Sequence, residues 1–498
     1  MLKILGSPRK LCDGWTRREM LTAGGLGLAG MGLGDFFQLR ELQAATSSDP
    51  TFGKAKACIL LFLYGSPSQI ELFDMKPDAP VEIRGELKPI RSSLPGCDVS
   101  ELLPDVAHVM DRVTVVRSVT HEFPIHSVCY ALSGVPLTDV PLSLNPGDPR
   151  HWPCIGSVFD YLGRQERGAK PLGSVPDNIA LPFPMSSKRP AAPIAGFHPA
   201  YLGSAYAPIW TRFQGKGTRH VVRPQAGNNA YYAGEDPYLG IEPNCRFEIG
   251  AAGLTDDLTL DRLNTRQSLL AQFNEQRRQL DATAAGQSFS RHREQAFSLL
   301  SSERIRAALD ISKEPLPLRE SYGMTLFGQS ALLARRLVEA GSRFVSVVWD
   351  EYGTINTAWD THFQHYERLR NELCPGLNSA LSALILDLEA RGMLDETLVL
   401  VLSEHGRTPK LVDLPGGGRD HWSACYTNLL AGGGIARGRV VGKTDKIGAQ
   451  VVERPMSPKE ILATAYHLLG INPATPITNL QGRPLPLVDA EVARDLLA

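Results

Sequence analysis

The sequence predicts an α/β protein with a mostly parallel central sheet and helices on both faces. Three observations lead there. Residues 57–64 (A-C-I-L-L-F-L-Y), 343–349 and 397–402 (T-L-V-L-V-L) are short apolar runs of the kind buried on both faces of a parallel sheet. Segments with helical periodicity alternate with these runs, which is the pattern of a layered α/β domain. Acids and histidines follow the runs directly, and the carboxyl ends of strands are where open α/β sheets collect chemistry.

Taken in order, residues 46–52 read as a linker and 57–64 as the first strand, ending at Gly65-Ser66-Pro67-Ser68. Residues 101–110 suit a short helix. A second strand over 113–116 ends at Arg117-Ser118, and a helix opens near His126 and stops at Gly134. From 152 to about 253 the chain is rich in Pro, Gly and aromatic residues and lacks periodicity, so a loop-rich cap is expected there. Helical patterning returns at 258–282, 295–310 and 328–340. Gly341 then leads into the strand 343–349. A long helix over 363–391, bent at Pro375, places Leu377, Leu381, Leu384 and Leu388 on one face. Gly392 ends it, the strand 397–402 follows, and 426–430 and 458–469 suit a last strand and helix.

The beginning of the chain has its own character. Lys3, Arg9, Lys10, Arg17 and Arg18 precede a glycine-rich apolar run at 21–33, and Thr16-Arg17-Arg18-Glu19-Met20-Leu21 resembles a twin-arginine export signal. The run is too short to span a bilayer, and no other stretch reads as a membrane span. Residues 1–45 are therefore expected to be a signal peptide, 46–55 a linker and 56–498 the folded domain. The expected location is periplasmic or secreted, with the twin-arginine machinery as a partner. Lys and Arg total 52 against 53 Asp and Glu, so no overall field favours nucleic acid. Without Cys12 an odd, scattered set of cysteines remains with no C-x-x-C pair. Neither a disulfide framework nor a Cys-based zinc site is expected from that spacing.

Three late loops each carry an acid and a histidine: Asp360 with His362 and His365, Glu404 with His405, and Asp420 with His421. Carboxylate oxygens and imidazole nitrogens suit a divalent ion, zinc or manganese first and calcium or magnesium after them. The expected metal ligands are Asp74, Asp360, His362, Glu404, His405 and His421, with Glu71 as an alternative to Asp74. Ser118, His121 and His126 sit around the end of the second strand and are the expected catalytic hydroxyl and acid–base groups. Arg407 and Arg419 are expected to clamp an anionic ester.

Several of these motifs occur together in a known family. Tyr64 to Gln69, Phe73 to Pro77, Leu102-Leu103-Pro104, Arg117-Ser118, Trp359 to His362, Asp387 to Gly392, Glu404 to Pro409 and Gly418 to Trp422 resemble the DUF1501 family. That family belongs to the alkaline phosphatase and sulfatase superfamily. The resemblance implies an alkaline-phosphatase-like fold, a two-metal site at strand ends, and hydrolysis or transfer of phosphate or sulfate esters. Glu404-His405-Gly406 is similar to the superfamily's Asp-His-Gly element, and His421 to its last histidine ligand. Two features depart from the pattern. Gly65-Ser66 stands where the superfamily places an Asp, and no residue matches its nucleophile. The expected function is thus an exported metal-dependent hydrolase of a small anionic ester or of a sulfated or phosphorylated saccharide. The alternative is a non-catalytic carbohydrate- or protein-binding member with a degenerate site.

Overall fold

A computed structural model describes residues 49–123, 126–137, 139–167, 175–224, 231–249 and 302–498. The expected signal peptide and the helix expected at 258–282 lie outside the described residues, as do 295–301 of the one expected at 295–310, whose described part is helical over Glu303–Leu309. The described chain falls into two units. Thr51–Pro473 with Val488–Ala498 holds the sheet. In the other, Pro476–Thr478 and Pro484–Pro486 form an antiparallel hairpin, with Asn479 Oδ1 accepting from the amides of Gln481 and Arg483.

Among the described residues, nine strands build the sheet: β1 (Ala57–Leu63), β2 (Val113–Val119), β3 (Asn178–Leu181), β4 (Ile209–Gln214), β5 (Arg246–Ile249), β6 (Phe344–Trp349), β7 (Thr397–Leu402), β8 (Tyr426–Ala431) and β9 (Arg439–Val441). Their order is β9-β2-β8-β7-β1-β6-β3-β4-β5. Pairs β7–β1–β6–β3–β4 and β2–β9 are parallel, while β8 runs antiparallel to both β7 and β2, and β5 antiparallel to β4. Every residue of β1, β6 and β7 is buried, which is why these strands read as unbroken apolar runs. As neighbours in the middle of the sheet, they bring their carboxyl ends side by side.

The helices that matter here are α1 (Gln69–Leu72), α2 (Val128–Ser133), α3 (Ile155–Arg167), α4 (Leu326–Glu339), α5 (Cys374–Ala390) and α6 (Pro458–Leu468). Phe344 and Trp349 of β6 are an odd number of residues apart and face opposite sides of the sheet. Phe159 of α3 meets Phe344, and Phe327 of α4 meets Trp349, so helices cover both sides. Local chemistry sets several helix ends. Thr325 Oγ1 accepts from the Gly328 amide at the start of α4, and Ser457 with Glu460 forms a capping box ahead of Pro458. The long helix expected over 363–391 is divided. A π-helical turn, Leu369–Leu373, separates His365–Arg368 from α5, and Pro375 then occupies its first turn. Proline has no amide hydrogen to bond back into the preceding turn, so the regular ladder breaks there.

The region read as a loop-rich cap contributes α3 and three strands of the main sheet. Those strands are four to six residues long. Periodicity over so few residues, between Pro and Gly, carries little signal.

Trp349 is buried between Tyr238, Phe327 and Trp359, and its ring lies against Gly376 of α5. Trp349→Ala is expected to cost about 3–5 kcal/mol, through lost burial and the cavity left behind. Urea unfolding of wild type and variant checks it.

Candidate metal centre

The loops after β1, β6 and β7, together with the short hairpin Gly406–Arg407/His421–Trp422, converge at one end of the sheet. Gly65 follows β1 with φ +91°, and a Cβ there would collide with the Asp360 amide nitrogen. Only glycine lets Asp360 come this close. The Gly65 amide donates to Glu404 Oε1 at 2.8 Å, so a backbone N–H stands where an aspartate was sought. Ser66, also at positive φ, accepts from the His405 amide through Oγ at 3.2 Å.

Asp360 is the hub. Its Oδ1 lies 3.0 Å from His362 Nε2 and 3.3 Å from His421 Nε2, and these two nitrogens are 3.1 Å apart. Donors bound to one tetrahedral ion at about 2.0–2.1 Å lie about 3.3 Å from each other. The triangle therefore already has the dimensions of a coordination face. Asp420 Oδ1 accepts from His362 Nδ1 at 2.8 Å, which aims Nε2 at Asp360, and the hydrogen bond to Asp360 raises the His362 pKa above its ordinary value. A second triad, His126, His405 and His421, has ligand atoms within 4.8 Å of one another.

Two donor atoms here are buried without partners. His405 Nδ1 donates to the Gly406 carbonyl at 2.8 Å, leaving a lone pair on Nε2, which has no hydrogen-bond partner. Glu404 Oε1 is engaged by Gly65 and by His126 Nδ1 at 2.8 Å, while Oε2 is buried and unpaired. Orphaned buried acceptors are costly unless a cation faces them. The two carboxylates with the imidazoles of His362, His405 and His421 fit a divalent ion such as zinc or manganese. His126, His362 and His421 are partly exposed and open the cluster to solvent, while Glu404 and His405 form its buried floor.

The charge balance agrees. Burial would raise the Asp360 pKa, but the Arg407 guanidinium and three imidazoles hold it well below the usual carboxylate range. Burial alone would lower His126, yet its bonds to Asp360 and Glu404 outweigh that and raise it to about 9. Two anions thus favour positive charge between them. Burial, reinforced by neighbouring cations, pushes His405 well below its ordinary value, and burial also lowers His421. Both are neutral imidazoles, the form that ligates.

Asp360, His362, Glu404, His405 and His421 therefore come together, and His126, expected as an acid–base group, joins them. Other expected residues lie elsewhere. Asp74 pairs with Lys76 at 2.8 Å and Arg117 at 3.6 Å and accepts from Thr444 Oγ1. Its alternative, Glu71, is buried against Arg419, His365 and Ser68. The Ser118 hydroxyl lies against Gly442 and bonds to none of the clustered groups. His121 accepts from the Phe123 amide at Nδ1, so its Nε2 donates to the Glu404 carbonyl at 2.8 Å. With both nitrogens committed it positions the Glu404 segment.

Neither arginine is free to clamp an ester. Arg407 donates to Ser66 O, Arg419 O, Gly65 O and Asp360 Oδ1. Arg419 donates to Glu71, to the carbonyls of Thr408 and Pro409, and to Ile83 O. Both are fully buried scaffold groups. No periodicity or spacing distinguishes a buried structural guanidinium from one that meets substrate.

The model described as "Protein of unknown function (DUF1501)" matches residues 55–497. The chain belongs to the DUF1501 family. No curated protein matches it. Among solved structures it is similar to PsFucS1 sulfatase from Pseudoalteromonas sp. (12% identity, 92% of this chain and 74% of that chain, TM-score 0.37). It is also similar to Ps i-CgsB in complex with k-i-k-neocarrahexaose (11%, 84% and 72%, 0.36). A third is the lipoteichoic acid synthase LtaP from Listeria monocytogenes (10%, 89% and 78%, 0.35). In this DUF1501 chain no described helix is long and apolar enough to cross a membrane.

Asp350 and Glu351 close β6 ahead of the Asp360 loop. Burial raises Glu351 to about 7 despite Arg189, whose Nε is 2.8 Å from Oε2. The folded state thus binds this proton more tightly than the unfolded chain. The stabilisation is complete below the ordinary glutamate range near 4.5 and is lost as pH rises through about 7. Glu351→Gln is expected to flatten the fall in melting temperature between pH 5 and pH 8. The term removed is roughly 3 kcal/mol, and calorimetry across that range measures it.

Proposed function

We propose that this DUF1501 chain is an exported, metal-dependent hydrolase of phosphate or sulfate esters, with a small ester or a sulfated or phosphorylated saccharide as substrate. The observation that carries the reading is the triangle of Asp360 Oδ1, His362 Nε2 and His421 Nε2, with sides of 3.0, 3.1 and 3.3 Å. Asp360, His362 and His421 would hold one ion, and His405 and Glu404 complete the donor set beside it. A divalent ion there supplies charge neutralisation for the ester oxygens and lowers the pKa of a water at the site.

The remaining work falls to the chain itself. Arg407 fixes Asp360, so the carboxylate does not swing away when solvent enters. Asp420 keeps the His362 proton on Nδ1, and the Gly406 carbonyl keeps the His405 proton on Nδ1. Both rings thereby present Nε2. His126 holds a proton between Glu404 and Asp360 and is the group able to return one to a leaving oxygen.

His405→Ala combined with His421→Ala is expected to abolish metal binding and ester turnover together. Metal analysis of the mature protein and a panel of chromogenic phosphate and sulfate esters read both. Full turnover by metal-free protein overturns the proposal. Asp420→Asn leaves every ligand in place and is expected to weaken metal affinity about 10–100-fold, measured by competition with a chromogenic chelator.

A specific observation favours the second reading, a binding protein with a degenerate site. The first strand ends in Gly65-Ser66, and both nearby arginines are consumed by the scaffold. Metal-free protein that turns over none of the esters would select this reading. Export follows from Arg17 and Arg18. Arg17→Lys with Arg18→Lys is expected to leave the precursor in the cytoplasm, as cell fractionation shows.

A further inference from the structure

A second cluster of ligand-type side chains lies apart from the Asp360 centre. Cys129 is in the first turn of α2, His151 precedes α3, and His198 lies in the loop after β3. All three are buried, at 4%, 2% and 5% exposure, and their ligand atoms lie within 4.8 Å of one another. Their sequence separation hides them, for no pair is spaced as a metal motif.

The local chemistry aims these groups at a common point. His151 Nε2 donates to the Asn145 carbonyl at 2.8 Å, so its proton is fixed on Nε2 and its lone pair on Nδ1. That lone pair faces Cys129 Sγ at 3.9 Å. A backbone carbonyl holding the far nitrogen of an imidazole is the usual support of a metal-binding histidine. His198 is packed edge-to-face against His151, with ring centroids 4.4 Å apart, and its Nε2 is buried with no hydrogen-bond partner. Cys154, also buried, donates its amide to the His198 carbonyl at 3.1 Å, which brings a second thiol to the same neighbourhood.

We propose that Cys129, His151 and His198 form a zinc site in which these three donors leave the fourth tetrahedral position to a water. One thiolate and two imidazoles suit this borderline-soft ion, at about 2.3 Å to sulfur and 2.0–2.1 Å to nitrogen. Donors within 4.8 Å need move only about 1 Å to reach a tetrahedral arrangement. On binding, the Cys129 thiol releases its proton to solvent and sulfur takes the ion. One internal bond is exchanged. The Gly196 amide donates to His198 Nδ1 at 3.0 Å, and that nitrogen must take the ring proton when Nε2 ligates, so the contact opens. The site joins α2, the segment entering α3 and the loop after β3. Cys129 lies three residues from His126, so it also anchors the segment that carries a residue of the first cluster.

The test uses the mature full-length protein. Cys129→Ser and His198→Gln are each expected to hold one equivalent of zinc less than wild type. Wild type loaded with cobalt is expected to show thiolate-to-cobalt absorption in the near ultraviolet. That band should persist in His405→Ala combined with His421→Ala and vanish in Cys129→Ser. Equal zinc in wild type and both variants, or cobalt-loaded wild type without the band, overturns the proposal. The wild-type spectrum decides alone should the variants not fold. Because the band reports sulfur, its outcome is independent of whether the Asp360 centre binds metal.

Discussion

The candidate site depends on one buried guanidinium. Arg407 leaves the strand-end hairpin and ties together the carbonyls of Gly65 and Ser66, the Arg419 carbonyl and the Asp360 carboxylate. Taking a guanidinium and a carboxylate out of water is expensive, and the pair repays it only when every remaining donor is satisfied. Here each guanidinium nitrogen has a protein acceptor. Breaking such a pair typically costs about 3–5 kcal/mol, because one charge is left buried alone. The consequence is more than stability. With Arg407 in place, Asp360 stays ionised and fixed where three histidines can meet it.

Arg419 repeats the device one step outward. It pairs with Glu71, which His365 approaches at 3.3 Å, inside a shell closed by Ser68 and Tyr366. Gln69 completes the join, donating to the Arg407 carbonyl at 2.9 Å and accepting from its amide at 3.0 Å. Three loops that would otherwise move independently become one polar floor. This explains why two arginines and a glutamate beside a would-be metal site are inaccessible. They are the support on which the ligands stand.

The physics of legibility differs between sheet and site. β1, β6 and β7 were readable because strands buried on both faces must be apolar throughout. From their ends, the grouping of Asp360, His362, Glu404, His405 and His421 was also readable, since adjacent parallel strands discharge their loops into one crevice. The strands β3 to β5 were not, because a four-residue segment such as Asn178–Leu181 becomes a strand through its neighbours and not its own pattern. The roles of Asp74, Arg407 and Arg419 escaped for another reason. Charge type says that a residue needs a partner, and only the fold decides whether that partner is protein or ligand. The same limit hid Cys129, His151 and His198.

The glycine at the end of β1 has a structural reason. A side chain at Gly65 would collide with the Asp360 backbone, so this chain cannot hold Asp360 at its present position and carry an aspartate there too. The backbone amide of Gly65 instead orients Glu404 at the end of β7. His126 then bridges Glu404 to Asp360. The end of β1 thus supplies a backbone amide, the acid comes from the end of β7, and the imidazole comes from the turn before α2. On this account Gly65 and Glu404 are coupled. An acid placed at residue 65 while Glu404 is kept would press its side chain into the Asp360 backbone and remove the room that the Gly65 amide uses to reach Glu404.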